Sequence, residues 1–181
     1  MENQREVWDS AASEWNEYRK EEQPIVAEFL KGKRGKLLDL GCGNGRNFIY
    51  SPLIKWYCID FSEKMLKHAS INAGAKNIEA EFFQSEAHDL NFEDNFFDQI
   101  ICHAVLHCIK GNERERAIKE IFRVLRSGGQ ALISVWSKNS KILKNKNKEC
   151  YVGWHSTESE KRLSYSYIYD FHELKDLLIK T

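Results

Sequence analysis

Proline is scarce in this chain, two residues in 181, and no internal repeat is present, which excludes a repeat array. No apolar run approaches the roughly 18 residues that a membrane helix needs, and no signal peptide opens the sequence, so neither spanning nor secretion is expected. An excess of charge is missing too. Lys plus Arg balance Asp plus Glu at 27 each, so no global field advertises a polyanionic partner. Cysteine appears five times, at Cys42, Cys58, Cys102, Cys108 and Cys150, an odd number with no C-x-x-C pair. That usage suits reduced thiols in a cytoplasmic setting, several of them on expected buried strands. No Ser/His/Asp or Cys/His constellation is evident. What is there is ordinary for one globular domain over 1–181: 42% hydrophobic and 30% charged residues, enough chain for a sizeable core.

Val7, Trp8, Ala11, Ala12, Trp15 and Tyr18 recur at helical spacing and predict an amphipathic first helix. A short second helix is expected from Pro24, a residue suited to a first turn, with Ile25, Val26, Phe29 and Leu30 inward. "KLLDL" (36–40) and "WYCID" (56–60) read as buried strands, and Ser62 as the N-cap of a helix through Met65, Leu66 and Ala69. "NIEAEFF" (77–83) and "FFDQIICHA" (96–104) predict two more strands. "ERERAIKEIFRVL" then places Ile118, Ile121, Phe122 and Leu125 on one helical face, with a stop at "SGG" (127–129) before a fifth strand, "QALISVW". Strands alternating with helices argue for an α/β fold, a parallel sheet covered on both faces. From 138 the chain becomes polar and basic, with Lys138, Lys141, Lys144, Lys146 and Lys148 in a basic insertion over about 138–150. "CYVGWH", an aromatic stretch "RLSYSYIYDF" and a last helix "HELKDLLIK" follow, with no strand pattern after that helix.

The richest stretch is "LLDLGCGNGRN" (37–47), where Gly41, Gly43 and Gly45 stand at alternate positions after an acid-ended apolar run. A nicotinamide fingerprint is G-x-G-x-x-G, and the spacing here is G-x-G-x-G. Asp39 is more telling. A carboxylate there repels a pyrophosphate, whose sites are made of bare amides, and favours a cation. S-adenosylmethionine carries an ammonium and a sulfonium and needs close backbone approach. Asp60 ends the second strand about twenty residues on, where an acid accepts ribose hydroxyls in nucleoside-binding α/β folds. "SEAHDLNF" offers Glu86 and Ala87 for the adenine side. The plain alternatives are a ligand-free turn and solvated acids.

With these residues the sequence resembles the class I S-adenosylmethionine-dependent methyltransferases, and more narrowly the tRNA wobble-uridine carboxymethyl methyltransferases. "VWDSAASEWNEYRKEEQPIVAEFL", "LLDLGCGNGRN", "HAVLHCI", "LRSGGQALISVW" and "CYVGW" stand in that family's order over nearly the whole chain. The resemblance implies a Rossmann-like sheet and S-adenosylmethionine as cofactor, leaving S-adenosylhomocysteine. It implies contacts from Asp39, Gly41, Cys42, Gly43, Asp60, Phe61, Glu86, Ala87 and His103. The implied reaction esterifies 5-carboxymethyluridine at the wobble position. An ordinary carboxylate, with a pKa near 4, is ionised at neutral pH and needs no general base, which fits the missing triad. Arg19, matching the family's N-terminal arginine, and His107, after the fourth strand, are the catalytic candidates. Their plain alternatives are a solvated arginine and a structural histidine. No metal site is expected from His103, His107, Cys102 and Cys108. Trp136, Trp154, Tyr165 and Tyr167 for stacking, with Lys144 and Lys146 for phosphates, are the candidates for an anticodon loop.

The pattern also departs from the family. Its second histidine is Cys108, its "YVPW" is "YVGW", an arginine and a histidine become Ser164 and Tyr167, and the adenine-side aspartate is Glu86. The expected sheet lacks the last two C-terminal strands, which leaves strand five a bare edge. The family uses a small zinc-ribbon activator protein beside strand three, so a heterodimer is expected. A small-molecule methyltransferase of the same fold and a non-catalytic subunit remain as alternatives.

Overall fold

The structure is a computed structural model that describes residues 3–140, 143, 145–154 and 162–180. It begins with α1 (Gln4–Tyr18) and α2 (Pro24–Leu30), and then alternates β1 (Gly35–Leu40), β2 (Ile54–Asp60), α3 (Glu63–Ala75), β3 (Ala80–Gln84) and β4 (Phe97–His103). A 3-10 turn over Leu106–Cys108 leads to α4 (Glu113–Val124) and β5 (Leu125–Ser134). The C-terminal part is β6 (Glu149–Trp154), β7 (Arg162–Tyr167) and α5 (Phe171–Ile179).

The five central strands are all parallel, in the order β3-β2-β1-β4-β5. The order reverses between β1 and β4, and the crevice at the carboxyl ends of a sheet opens at such a switch point. Period-two alternation splits the core between the faces. Leu37 and Ile101 pack with Val26, Leu30, Phe48, Trp56 and Leu66 under α2 and α3. Leu38, Leu40, Ile100 and Cys102 pack with Ile118, Ile121 and Val124 of α4 on the other side. A strand buried on both faces is rich in apolar residues, and in "KLLDL" the three leucines fill both faces while Asp39 is the buried exception.

Caps set the helix starts. Ser62 Oγ accepts from Met65 N–H at 3.1 Å, and Pro24 opens α2, both as expected. Asp170 and Glu173 form a reciprocal capping box at α5.

Two features differ from the sequence reading. α4 ends at Val124, and Leu125 already pairs with Phe97 in the sheet. "SGG" is therefore a bulge within β5: the register steps from Phe97↔Leu125 to Gln99↔Gln130. Val124 takes the inward position, and Phe122 is 45% exposed. The aromatic C-terminal stretch, which the sequence reading did not assign to a strand, pairs with the "CYVGW" segment as an antiparallel β6–β7 pair. Its return chain touches the main sheet beyond β5, through an isolated bridge of Ser137 with Tyr169. Among the described residues no strand pairs with the outer edge of β5 or of β3.

Candidate active site

A cavity of about 1140 Å³ opens over the carboxyl ends of β1, β2 and β4. Its floor is the loop after β1. Gly41 has φ +71°, and a Cβ there would stand 2.4 Å from Val105 Cγ2; at Gly45, with φ +72°, it would stand 2.3 Å from Phe48 Cε2. Only glycine fits either position, and the bare backbone is what lets a ligand come close.

Asp60 organises this floor. Its Oδ2 accepts from Gly43 N–H at 2.9 Å and its Oδ1 from Ser62 N–H at 2.9 Å. A carboxylate offers about four acceptor positions, so it can still take hydroxyl protons from the cavity. Burial pushes its pKa up to about 6, against those two backbone N–H groups, which pull it down. Asp39 lies beneath the loop rather than on the cavity wall. Burial first, and then the neighbouring Asp60 charge, raise its pKa to about 7, while Arg46 pulls the other way. Asp39 Oδ2 is buried with no hydrogen-bond partner among the described residues. Two desolvated acids at an open backbone loop, one of them with an unpartnered oxygen, favour a cation over an anion there. The residues present therefore fit the sulfonium cofactor better than a pyrophosphate.

Phe61, Ala87, Glu86, Cys42 and His103 line the same cavity. Glu86 is half-exposed and ion-paired to Arg5 of α1 at 2.7 Å. Cys42 is buried, and burial pushes its thiol pKa far above the usual range, so it packs rather than reacts. His103 Nδ1 meets Ser134 Oγ at 2.7 Å, and the same Oγ accepts from Ala104 N–H at 3.1 Å. Burial lowers the pKa of this histidine too. Among the described residues no three His, Cys, Asp or Glu side chains gather as metal ligands would.

Over the floor, α1 forms a roof. Asp9 accepts from Ser62 Oγ and from Lys64 N–H, and Asn16 Oδ1 accepts from Asn44 Nδ2 at 3.1 Å and Asn72 Nδ2 at 2.9 Å. Gln4 ties the same helix to β7, accepting from Tyr165 N–H at 2.7 Å. Arg19 is the C-cap of α1, with its carbonyl accepting from Asn44 Nδ2 at 3.0 Å. Its guanidinium lies 5.4 Å from the centroid of the Trp15 ring, and that of Arg46 lies 5.8 Å from the same ring. All three residues line the cavity. Arg46 is the cation that the sequence reading passed over. It follows the glycine loop directly, and only the folded arrangement brings it beside Arg19, whose charge, after burial, lowers its pKa.

The wall opposite α1 carries His107, buried at 2% exposure and stacked on Trp136 with centroids 4.9 Å apart and planes at 20°. Trp136 N–H donates to His107 Nδ1 across 3.4 Å, which leaves the ring proton on Nε2. Burial, helped by the charge of His103, lowers the His107 pKa to about 4. At neutral pH it is an uncharged donor.

The remaining stacking and phosphate candidates do not converge on the cavity. Alternation along β7 turns Ser164 and Ser166 to it, and Tyr165 and Tyr167 do not line it. Tyr165 is buried at 3% exposure. Lys146 borders a smaller cavity of about 360 Å³ beside Lys148 and Asp170. Lys144 and the side chain of Trp154 lie outside the described residues.

Known proteins point the same way as this geometry. A profile described as a methyltransferase domain matches residues 38–133. A tRNA (carboxymethyluridine(34)-5-O)-methyltransferase of Arabidopsis thaliana is 33% identical over 134 residues, 72% of this chain and 32% of that one. The protein of the same name from Schizosaccharomyces pombe is 32% identical over 159 residues, 82% of this chain and 66% of that one. A solved S-adenosylmethionine-dependent methyltransferase from Methanosarcina mazei superposes with a TM-score of 0.70 at 24% identity, covering 88% of this chain and 84% of that one, a likeness of fold. The chain spans about a third of the length of the first two curated relatives, 32% and 35%. With the glycine loop, its two buried acids and the matching profile on one sheet, this chain belongs to the family of S-adenosylmethionine-dependent methyltransferase domains.

Proposed function

We propose that the chain methylates tRNA, transferring the methyl group of S-adenosylmethionine to the carboxylate of 5-carboxymethyluridine at the wobble position and giving the methyl ester. The supporting observation is the character of the acceptor side of the cavity. Arg19 and Arg46 bring two guanidiniums, and His107 brings an uncharged Nε2–H donor. None of these is a base, so the arrangement suits a nucleophile that arrives ionised, as a carboxylate does. When bound, S-adenosylmethionine supplies an electrophilic methyl group on a sulfonium. Asp60, Phe61, Glu86, Ala87, His103 and the loop Gly41–Gly43 are the residues placed to hold the donor, with Asp39 acting through its charge from below. The guanidiniums and His107 orient the acceptor carboxylate, and α1 with Trp136 keeps water from the reacting atoms. The two relatives named as carboxymethyluridine methyltransferases supply the RNA part of the proposal.

The proposal includes a partner. β3 is an edge strand whose Phe83 is 36% exposed and stacks on Tyr57, a place where a small zinc-ribbon activator adds a strand. No helix among the described residues is long and apolar enough to cross a membrane. A cytoplasmic setting is part of the same proposal, consistent with five unbridged cysteines. The test is tritiated methyl transfer to bulk tRNA carrying carboxymethyluridine, with and without the zinc-ribbon protein. Alkali-labile label in tRNA is the expected result. Tight cofactor binding with no label in tRNA would sink it. A second reading, methylation of a small molecule, has the balanced net charge and a 29% identical phosphatidylethanolamine N-methyltransferase of Cereibacter sphaeroides in its favour. Label in a small lipophilic or acidic acceptor alone is the outcome that selects it.

A further inference from the structure

Beside the cavity, on the side of the hairpin that carries tyrosines, two cations have no ion pair among the described residues. Lys110 follows the 3-10 turn that holds His107, lines the cavity and donates to Tyr151 Oη at 3.1 Å. Its Nζ lies 5.4 Å from the Tyr151 ring centroid and 5.1 Å from that of Tyr165. Four residues on, Arg114 at the start of α4 lays its guanidinium 3.6 Å over the Tyr167 ring. Its Nε donates to Gly111 O at 3.4 Å. Both side chains belong to half-buried residues, and among the described residues no carboxylate forms an ion pair with either. Lys148, 5.2 Å from the same Tyr167 ring, is different. Glu173 neutralises it at 2.9 Å.

Half-buried cations usually find an acid. An aromatic face holds a cation in place without cancelling its charge, and a stacked guanidinium keeps its edge donors in plane for an anion. Glu113, on the cavity wall between the two cations in sequence, is exposed and has no ion pair with either, and Glu173, which accepts from Tyr167 Oη, is paired with Lys148, so neither cation is directly neutralised. The chain as a whole is neutral, so a local concentration of unpaired positive charge beside the cavity is a specific feature. We propose that Lys110 and Arg114, carried on Tyr151, Tyr165 and Tyr167, bind a backbone phosphate of the acceptor RNA strand next to the nucleotide that enters the cavity. This rests on the tRNA reading above and adds to it the residues that hold the strand. The tyrosines then serve as supports for cations, and base stacking falls to Trp136 within the cavity.

The test measures binding apart from chemistry. A fluorescein-labelled anticodon stem-loop RNA is titrated by anisotropy against the wild type, Lys110→Gln, Arg114→Gln and the double variant over a range of NaCl. Far-UV circular dichroism and Tm check that each variant folds, and Lys110→Arg serves as the conservative control. The expected result is an affinity loss of about tenfold or more for the double variant, affinity close to wild type for Lys110→Arg, and a salt slope shallower by about 0.7 to 0.9 per cation removed. KM for the stem-loop should rise in the same proportion while KM for the cofactor stays put. Wild-type binding and methylation of the stem-loop with unchanged affinity and slope in all three glutamine variants would overturn this proposal and leave the tRNA reading standing. Wild type that binds no RNA but methylates a small acceptor would overturn both. Loss of binding to phosphatidylglycerol vesicles, rather than to RNA, would assign the cations to a lipid surface and overturn the proposal as well.

Discussion

The two sides of the cavity are built by opposite means. The donor side is made of backbone and buried acids: three glycines, Asp60 holding two amides and Asp39 beneath them, all within 39–62 of the chain. The acceptor side is made of side chains brought from far apart, with Arg19 and Trp15 on α1, Arg46 after the loop, His107 after β4 and Trp136 after β5. A backbone cradle serves any ligand of one shape and charge, and a set of side chains can be exchanged to change the acceptor. This is why one methyl-donor fold supports many acceptors.

Removing the anchor of the donor side should have the largest effect. Asp60→Ala takes away the proposed ribose acceptor and the partner of Gly43 and Ser62 N–H together, and should weaken cofactor binding by about a hundredfold or more, some 3 kcal/mol, measured by calorimetry. A loss below about threefold would show that the loop is organised without it. On the acceptor side, His107→Ala should lower kcat by about ten- to a hundredfold with cofactor affinity nearly unchanged, and His107→Gln, which retains a donor, should recover part of it. If cofactor affinity fell as much as kcat, the division between the two sides would be wrong.

The pH dependence sharpens the contrast further. Asp39 and Asp60 have folded pKa values raised to about 7 and about 6, so the native state holds protons that the unfolded chain has released from about pH 4 upward. The contribution of these two acids to the stability of the cofactor-free protein is therefore fully present below about pH 4 and is lost as pH rises through that window, while His107, lowered to about 4 from an ordinary value near 6.5, acts in the opposite sense between those two values. Cofactor binding runs the other way. A bound cation favours the ionised acids, so affinity should fall by up to about tenfold per proton as pH drops from 8 to 6, with proton release detectable in buffers of different ionisation enthalpy. His107, at about 4 in the fold, stays uncharged from pH 8 to 6 and adds nothing to this change in affinity. Affinity independent of pH over this interval would contradict the account of the two acids. The smallest effect belongs to the roof. Gln4→Ala removes the bond from Tyr165 N–H and should cost about 1 kcal/mol, a drop of a few degrees in Tm by calorimetry. An unchanged Tm would mean that water replaces the glutamine.

Much of the donor side was legible because its logic is local. Glycine spacing, an acid at a strand end and a serine cap each state a backbone requirement within a few residues, and Gly41, Asp60 and Ser62 took the places expected of them. The hairpin was not legible. "CYVGW" shows no alternation, and the serine–tyrosine alternation of "RLSYSY" does not say which strand it pairs with or which face it turns to the cavity, and the structure pairs the two segments with each other. The bulge at "SGG" looked like a helix stop because glycine serves both, and only the partner strand decides between them. Arg46 escaped because a lone cation after a loop carries no signal until a second one stands across the same indole.

By itself the sequence determined the parallel α/β order, the cation-favouring loop and the methyl donor, since these follow from periodicity and from charges close together in the chain. Tertiary structure alone decided the protonation state of His107, the pairing of Arg19 with Arg46 around Trp15, and the placing of Lys110 and Arg114 on tyrosines. Each of these depends on burial and on distances between residues tens of positions apart, and burial is a property of the folded chain.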